Sequence, residues 1–120
     1  ERKATRPGSF GSLPIIVLIG EKTASAAEIV VAALKENYRA AVAGQRSYGK
    51  GSVQTIFDLS NGGGVKVTVA KYMTPGGKFI EREGVEPDNL IVTPNPDVLI
   101  EWAWAQLTGK VSKVQTSNLP

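Results

Sequence analysis

The chain has 120 residues, of which 42% are hydrophobic and 21% charged, and a formal net charge of +3 at pH 7. This size and balance indicate one small globular domain or a piece of a larger one, not a disordered chain. The sequence contains no cysteine and no histidine, which excludes disulfides and argues against zinc and haem sites, so no metal and no cofactor is expected. The apolar runs are too short for a membrane span, and the basic residues are too scattered to indicate nucleic-acid binding.

Three segments are distinguished by composition. Residues 1–12 combine turn-forming and charged residues without periodicity, and we interpret them as a flexible arm or linker. Residues 13–109 carry the periodic patterns of regular structure, and residues 110–120 have the composition of a polar tail. The chain opens on Glu1 without an initiator methionine, and we interpret it as a fragment of a longer protein.

The first 45 residues predict a βαβ unit. The continuous aliphatic run Leu13–Ile19 is typical of a strand buried on both faces, which favours a sheet covered by helices. A helix is predicted from about Ser25 to Asn37, where the apolar residues follow helical spacing. The short apolar run from Arg39 to Ala43, closed by a glycine, predicts a second strand.

Beyond this unit the pattern changes to the alternation of β-strands. Residues 53–59 and 65–70 alternate apolar and polar side chains around the turn Asn61–Gly64, which predicts a β-hairpin. Short strands are predicted at 78–80 and 90–92. Pro96 at a first helical position and Gly109 as a stop bound a closing helix. The fold class is therefore α/β, with a βαβ unit, a hairpin and a C-terminal helix.

Ser25 lies at the junction between the first predicted strand and the predicted helix, and two interpretations of it are open. Ser25 and Glu28 have the spacing of a capping box, in which a serine simply begins a helix. Alternatively, Ser25 is a nucleophile, with the helix N-terminus and the backbone N–H of Ala26 placed to stabilise an oxyanion. Capping and catalysis need the same local geometry, so the motif alone does not separate them.

Lys50 and Gln54 raise a similar choice. A lysine between glycines is ordinarily a solvated turn residue. Because the chain has no histidine, however, Lys50 is the available general base for a serine nucleophile, provided that it is unprotonated near neutral pH, a state that burial favours. If residues 50–54 are extended, Gln54 lies on the same face and could orient the lysine without adding a charge.

The order of these motifs resembles the carboxyl-terminal processing peptidases, also called tail-specific proteases. The resemblance runs from about Leu13 to Pro87. It is carried by the following motifs: Thr-Ala-Ser-Ala-x-Glu-Ile at 23–29, Arg-Ala-x-Val-x-Gly at 39–44, Tyr-Gly-Lys-Gly-Ser-Val-Gln at 48–54, Gly-Val-Lys-Val-Thr-Val-Ala-Lys-Tyr-Met-Thr at 64–74 with Pro75-x-Gly77, and Gly-Val-x-Pro-Asp at 84–88.

The resemblance implies a serine peptidase with a Ser-Lys dyad. Ser25 matches the family's nucleophile, Lys50 its general base and Gln54 the residue that positions the lysine, while Ala26 supplies an oxyanion-hole N–H. Ala27 departs from the family, which often has a second serine there. The nucleophile assignment is unaffected, because Ser25 alone has the required spacing to Lys50.

The resemblance also implies a ClpP/crotonase-like peptidase core, of which residues 13–109 would be the C-terminal half. The family's PDZ domain, which recognises substrate C-termini, and the first half of the core have no counterpart in this sequence. Members act outside the cytoplasm, in the bacterial periplasm or cell envelope or in the thylakoid lumen. The expected partners are protein or peptide substrates and the remainder of the peptidase chain, with a homo-oligomer also open. Two rival interpretations remain: a non-catalytic peptide-binding relative of the same fold, and a structural or interaction domain that pairs through its hairpin edges.

Overall fold

The computed structural model describes residues 11–109; residues 1–10 of the predicted arm and the predicted tail at 110–120 lie outside it. The elements in chain order are β1 (Ile16–Ile19), α1 (Ala26–Glu36), β2 (Ala41–Gly44), β3 (Ser52–Asp58), β4 (Gly64–Lys71), β5 (Asn89–Leu90) and α2 (Pro96–Thr108). They form a three-stranded sheet in the order β1–β2–β5 and a separate two-stranded sheet, β3–β4. The α/β fold class is confirmed.

The predicted βαβ unit is confirmed, because β1 and β2 pair in parallel across α1. Strand β1 begins later than its apolar run suggests: Pro14 has no N–H to donate, and the carbonyl of Leu13 accepts a hydrogen bond from the side chain of Arg39. Strand β2 also begins later than predicted. The N–H groups of Arg39 and Ala40 still donate to the carbonyl of Leu34 and so extend the end of the helix.

Two helices cover opposite faces of the parallel sheet, as its continuous aliphatic strands predict. On one face, Val31 and Ala32 of α1 pack with Ile19 and Val42, joined by Ile80 and Val85. On the other face, Trp102 and Ala103 of α2 pack with Ala43 and Ile91. Neither described helix is long and apolar enough to cross a membrane. The core therefore lies around β1 and β2, the two strands that precede the site residues.

The predicted hairpin is confirmed as the antiparallel pair β3–β4, with a register irregularity between Val53 and Gln54. All of β4 and the outer part of β3 are exposed. The return strand predicted at 78–80 is reduced to a single bridge between Met73 and Phe79. A connection this short forms one pairing and then turns into the core at Ile80, which is 1% exposed.

Helix α2 has the ends that its sequence predicts. The side chain of Asn95 accepts a hydrogen bond from the N–H of Asp97, Pro96 occupies the first turn, and Gly109 ends the helix in the left-handed conformation. Trp102 packs into the core at 7% exposure, whereas Trp104 is 62% exposed. The strand predicted at 90–92, before α2, begins one residue earlier in the chain and is shorter, as β5.

Candidate active site

The candidate site lies at the carboxyl edge of the parallel sheet. Ser25 is in the connection that follows β1, and Lys50 is in the connection that follows β2. Because β1 and β2 are parallel neighbours, the segments after them emerge at the same edge. A further link joins them directly, since the N–H of Tyr48 donates to the carbonyl of Thr23 at 2.8 Å. The fold therefore brings the serine turn and the lysine loop side by side.

Ser25 has a backbone conformation that side chains rarely adopt, with φ at 60° and ψ at −123°. A non-glycine residue there costs about 1–3 kcal/mol, and such strain concentrates at functional sites. The capping box that the sequence pattern suggests is present, since Ser25 and Glu28 form its pair and the N–H of Ser25 donates to Oε2 of Glu28 at 2.8 Å. The N–H of Glu28 also donates to the carbonyl of Ser25 at 2.9 Å. Ser25 thus combines backbone strain with a position on the sharp turn between β1 and α1.

Ala26 is the first residue of α1 and is exposed beside Ser25. The first N–H groups of a helix have no partner inside the helix and point outward from its positive end. The N–H of Ala26 is among these groups. It is available to a negatively charged oxygen that approaches Ser25, as an oxyanion-hole donor must be.

The carboxylate of Glu28 joins the serine turn to the lysine loop. One oxygen, Oε2, accepts the N–H of Ser25 and the N–H of Lys50, each at 2.8 Å. The other, Oε1, accepts the hydroxyl of Ser47 at 2.5 Å and the N–H of Gly49 at 2.6 Å. The backbone nitrogens of Ser25 and Lys50 are thus linked by two hydrogen bonds to the same carboxylate oxygen. The serine turn and the lysine loop are held by a single side chain.

Glu28 is 0% exposed, yet its hydrogen bonds favour the ionised form of the carboxyl group. Burial opposes the charge and raises the pKa, but the hydrogen bonds from Ser47, Gly49, Lys50 and Ser25 together outweigh it, so that the pKa lies below its ordinary value of 4.5. All four donors present hydrogen to the carboxylate, and only the ionised form accepts from all of them. The site is therefore built around a buried negative charge.

The position of Lys50 is set by contacts of its backbone. Among the residues that the structure describes, its side chain is exposed. Gly49, before it, has φ at +87°, a conformation that favours glycine. Gly51, after it, fits against the 80–84 turn so closely that a Cβ would lie 2.4 Å from the backbone nitrogen of Glu81. Both flanking glycines are thus required by the path of the loop.

Gln54 lies on exposed β3, four residues beyond Lys50. Its Nε2 donates to Oγ1 of Thr68 on β4 at 3.4 Å, a long hydrogen bond. The described residues include no hydrogen bond from Gln54 to Lys50. Ser25, Ala26 and the Lys50 backbone are brought together, and Gln54 is turned towards the neighbouring strand.

Sequence reasoning missed the part that Glu28 and Ser47 play. Glu28 was recognised only as the third residue after a helix cap, a position that predicts a local hydrogen bond to the backbone. Its contacts with Ser47, Gly49 and Lys50 are long-range and leave no local pattern in the sequence.

Within residues 11–109, no group of three or more acidic side chains is arranged to hold a metal ion.

The chain is similar to known proteins in both sequence and structure. The model of peptidase family S41 matches residues 1–91. A chloroplastic C-terminal processing peptidase of Tetradesmus obliquus is 50% identical over 86 residues, which are 72% of this chain and 18% of that protein. A carboxyl-terminal-processing protease of Synechocystis sp. is 40% identical over 114 residues, covering 88% of this chain and 27% of that protein.

Among solved structures, a photosystem II D1 C-terminal processing protease superposes with a TM-score of 0.67 at 48% identity, over 73% of this chain and 22% of that one. The chain thus spans between about a sixth and a quarter of the length of the curated relatives it matches. The family model covers the segment in which Ser25, Glu28 and Lys50 lie.

Proposed function

The chain belongs to peptidase family S41, and from that premise we propose that it carries the nucleophile and the general base of a serine endopeptidase that cleaves proteins near their carboxyl terminus. The observation that supports this most directly is the shared hydrogen bonding of Ser25 and Lys50 to one oxygen of Glu28. A strained serine beside a free helix N-terminus, tethered to a lysine loop, provides the parts of acyl-transfer chemistry.

In the proposed reaction, Oγ of Ser25 attacks the scissile carbonyl carbon while Nζ of Lys50 takes the hydroxyl proton. The carbonyl oxygen becomes an oxyanion that the N–H of Ala26 stabilises. Lys50 then gives its proton to the leaving amine, and the C–N bond breaks to leave an acyl-Ser25 ester. Water, deprotonated by Lys50, hydrolyses this ester and restores the serine.

Gln54 is proposed to position Lys50. Its hydrogen bond to Thr68 is long and exposed, so it is readily exchanged for one to the lysine amine. We expect the rest of the polypeptide to cover Lys50, because burial favours the neutral form of a lysine and a base must be unprotonated.

We further propose that residues 13–109 are the C-terminal half of a peptidase core, because the chain spans only a fraction of its relatives' length. The remaining chain would supply the second oxyanion donor, the other wall of the substrate cleft and a PDZ domain that recognises substrate C-termini. Relatives in chloroplasts and bacteria support an extracytoplasmic location. On this proposal the isolated 120 residues are inactive, and peptidase activity of that segment alone would contradict it.

The test uses the complete polypeptide and a peptide substrate with a free carboxyl terminus. We expect Ser25→Ala and Lys50→Ala each to lower kcat at least ~10³-fold, because each removes a group that acts in bond cleavage. Lys78→Ala is the matched control: it also removes an exposed lysine, and its kcat should stay within about twofold of the parent. Full activity of Lys50→Ala would overturn the dyad.

The exposed Lys50 side chain favours one alternative, a non-catalytic peptide-binding domain of the same fold. Covalent labelling with a serine-directed fluorophosphonate separates the two. The peptidase proposal expects labelling of Ser25 that Lys50→Ala abolishes. The binding-domain alternative expects peptide binding with no labelling in either protein.

A further inference from the structure

A second carboxylate, that of Glu81, also holds the Lys50 loop. The side chain of Glu81 accepts the N–H of Gly51 through Oε2 at 2.8 Å, in a partly buried contact. Next to it, the N–H of Arg82 donates to the carbonyl of Gly49 at 2.8 Å. The residues on both sides of Lys50 are thus bonded to the turn at 80–84.

This contact is close enough to fix the path of the loop. A Cβ on Gly51 would lie 2.4 Å from the nitrogen of Glu81, and one on Gly49 would lie 3.0 Å from the nitrogen of Gly84. The two backbones meet without an intervening side chain. A displacement of the turn would therefore displace the loop by a comparable distance.

The turn is itself anchored in the core. Ile80, at its start, is 1% exposed and packs in the cluster that contains Val85. The N–H of Val85 donates to the hydroxyl of Ser47 at 2.7 Å, and the same hydroxyl donates to Glu28. Arg82, at the tip, has φ at 67°, a strained value for a non-glycine residue that persists where surrounding contacts determine the backbone. The turn therefore provides a fixed support for the loop.

We propose that Glu81 is a positioning residue for the general base. Together with Glu28 it fixes the N–H groups of three successive residues, Gly49, Lys50 and Gly51, by hydrogen bonds to carboxylates. Glu81 acts through the Lys50 backbone and has no contact with the reacting atoms. This inference rests on the proposed function, since it assigns Glu81 to the same Ser25–Lys50 reaction.

Loss of the Glu81 hydrogen bond is expected to change the rate of the reaction and not the binding of substrate. A base that is displaced by about 1 Å can cost ~10²-fold in rate without affecting substrate binding elsewhere. Loss of the Glu81 hydrogen bond should therefore lower kcat and leave KM nearly unchanged. A residue needed only for folding would instead lower the amount of active enzyme, which titration of labelled Ser25 measures separately.

The experiment compares three variants of the complete polypeptide, with kcat expressed per titrated Ser25. Glu81→Ala should lower kcat about 10- to 100-fold with KM within about twofold. Glu81→Gln keeps an oxygen that can accept the N–H of Gly51, and it should restore kcat to within about threefold of the parent. Glu83→Ala is the matched control, because Glu83 lies in the same turn but is exposed and paired with Arg46; its kcat should be unchanged.

Two results would overturn the inference: a Glu81→Ala enzyme with the kcat of the Glu83→Ala control, or a loss that Glu81→Gln does not reverse. Lys50→Ala distinguishes this failure from failure of the proposed function. If Lys50→Ala is inactive while Glu81→Ala is fully active, only the positioning assignment is wrong. If Lys50→Ala remains active, the proposed function is wrong as well.

Discussion

The parallel sheet and the hairpin bury their side chains to very different degrees. Val42 of β2 is 0% exposed and lies beneath α1, whereas Val67 of β4 is 40% exposed although it also lies within a regular strand. The parallel sheet has a helix on each face, while Phe57, Val65 and Val67, which share one face of the hairpin, are 52%, 45% and 40% exposed. The parallel sheet, which has its own core, therefore holds the backbone of Ser25 and Lys50. Gln54 lies in the hairpin, which has no such core among the described residues.

The largest expected effect concerns the buried charge at the boundary between these regions. Glu28→Ala removes the acceptor of four hydrogen bonds, so we expect the free energy of unfolding to fall by about 3–5 kcal/mol. Denaturant titration measures it. Glu21→Ala is the control, because Glu21 is an exposed turn residue, and its effect should stay within about 0.5 kcal/mol. Equal effects of the two variants would contradict the role given to Glu28.

A matched pair of valines tests the comparison itself. Val42→Ala leaves a cavity in the core and should lower the free energy of unfolding by about 2–3 kcal/mol. Val67→Ala removes the same two methyl groups from an exposed strand and should cost less than about 1 kcal/mol. Denaturant unfolding of the two variants measures both. Similar losses would show that the hairpin face is as well packed as the parallel sheet.

The smallest effect concerns pH. Because the pKa of Glu28 is lowered on folding, its contribution to stability is fully present above the unfolded value of 4.5 and is lost as the pH falls through the folded value. The denaturation midpoint should therefore decrease as the pH is lowered below 4.5. Glu28→Gln should flatten this dependence, since glutamine does not titrate. An unchanged slope in that variant would assign the acid sensitivity to other carboxylates.

The sequence was sufficient to predict the elements whose signals are local. The aliphatic strand before Ser25, the glycine-rich turn at 61–64 and the pair of Pro96 and Gly109 each report on neighbouring residues, and each predicted element is found. The bounds of β1 and β2 shifted because Arg39 bonds to distant Leu13 and to the end of α1. No local pattern encodes those contacts.

The sequence indicates the members of the candidate site but not how they are arranged. Ser25 and Lys50 stand out by motif, yet no motif predicts that Lys50 is exposed or that Gln54 bonds to Thr68 on the neighbouring strand. No local pattern in the sequence predicts that Glu28 and Glu81 hold the lysine loop. Their importance follows only from the N–H groups that the fold brings to them.

The Glu28 cluster also bears on the order of events during synthesis. Every donor to this carboxylate lies between Ser25 and Lys50, at most 22 residues from Glu28 in sequence. Closing loops of this size costs less chain entropy than closing the longer loops that join more distant parts of the chain. All the donors of this cluster are therefore synthesised before the first residue of the hairpin, Ser52.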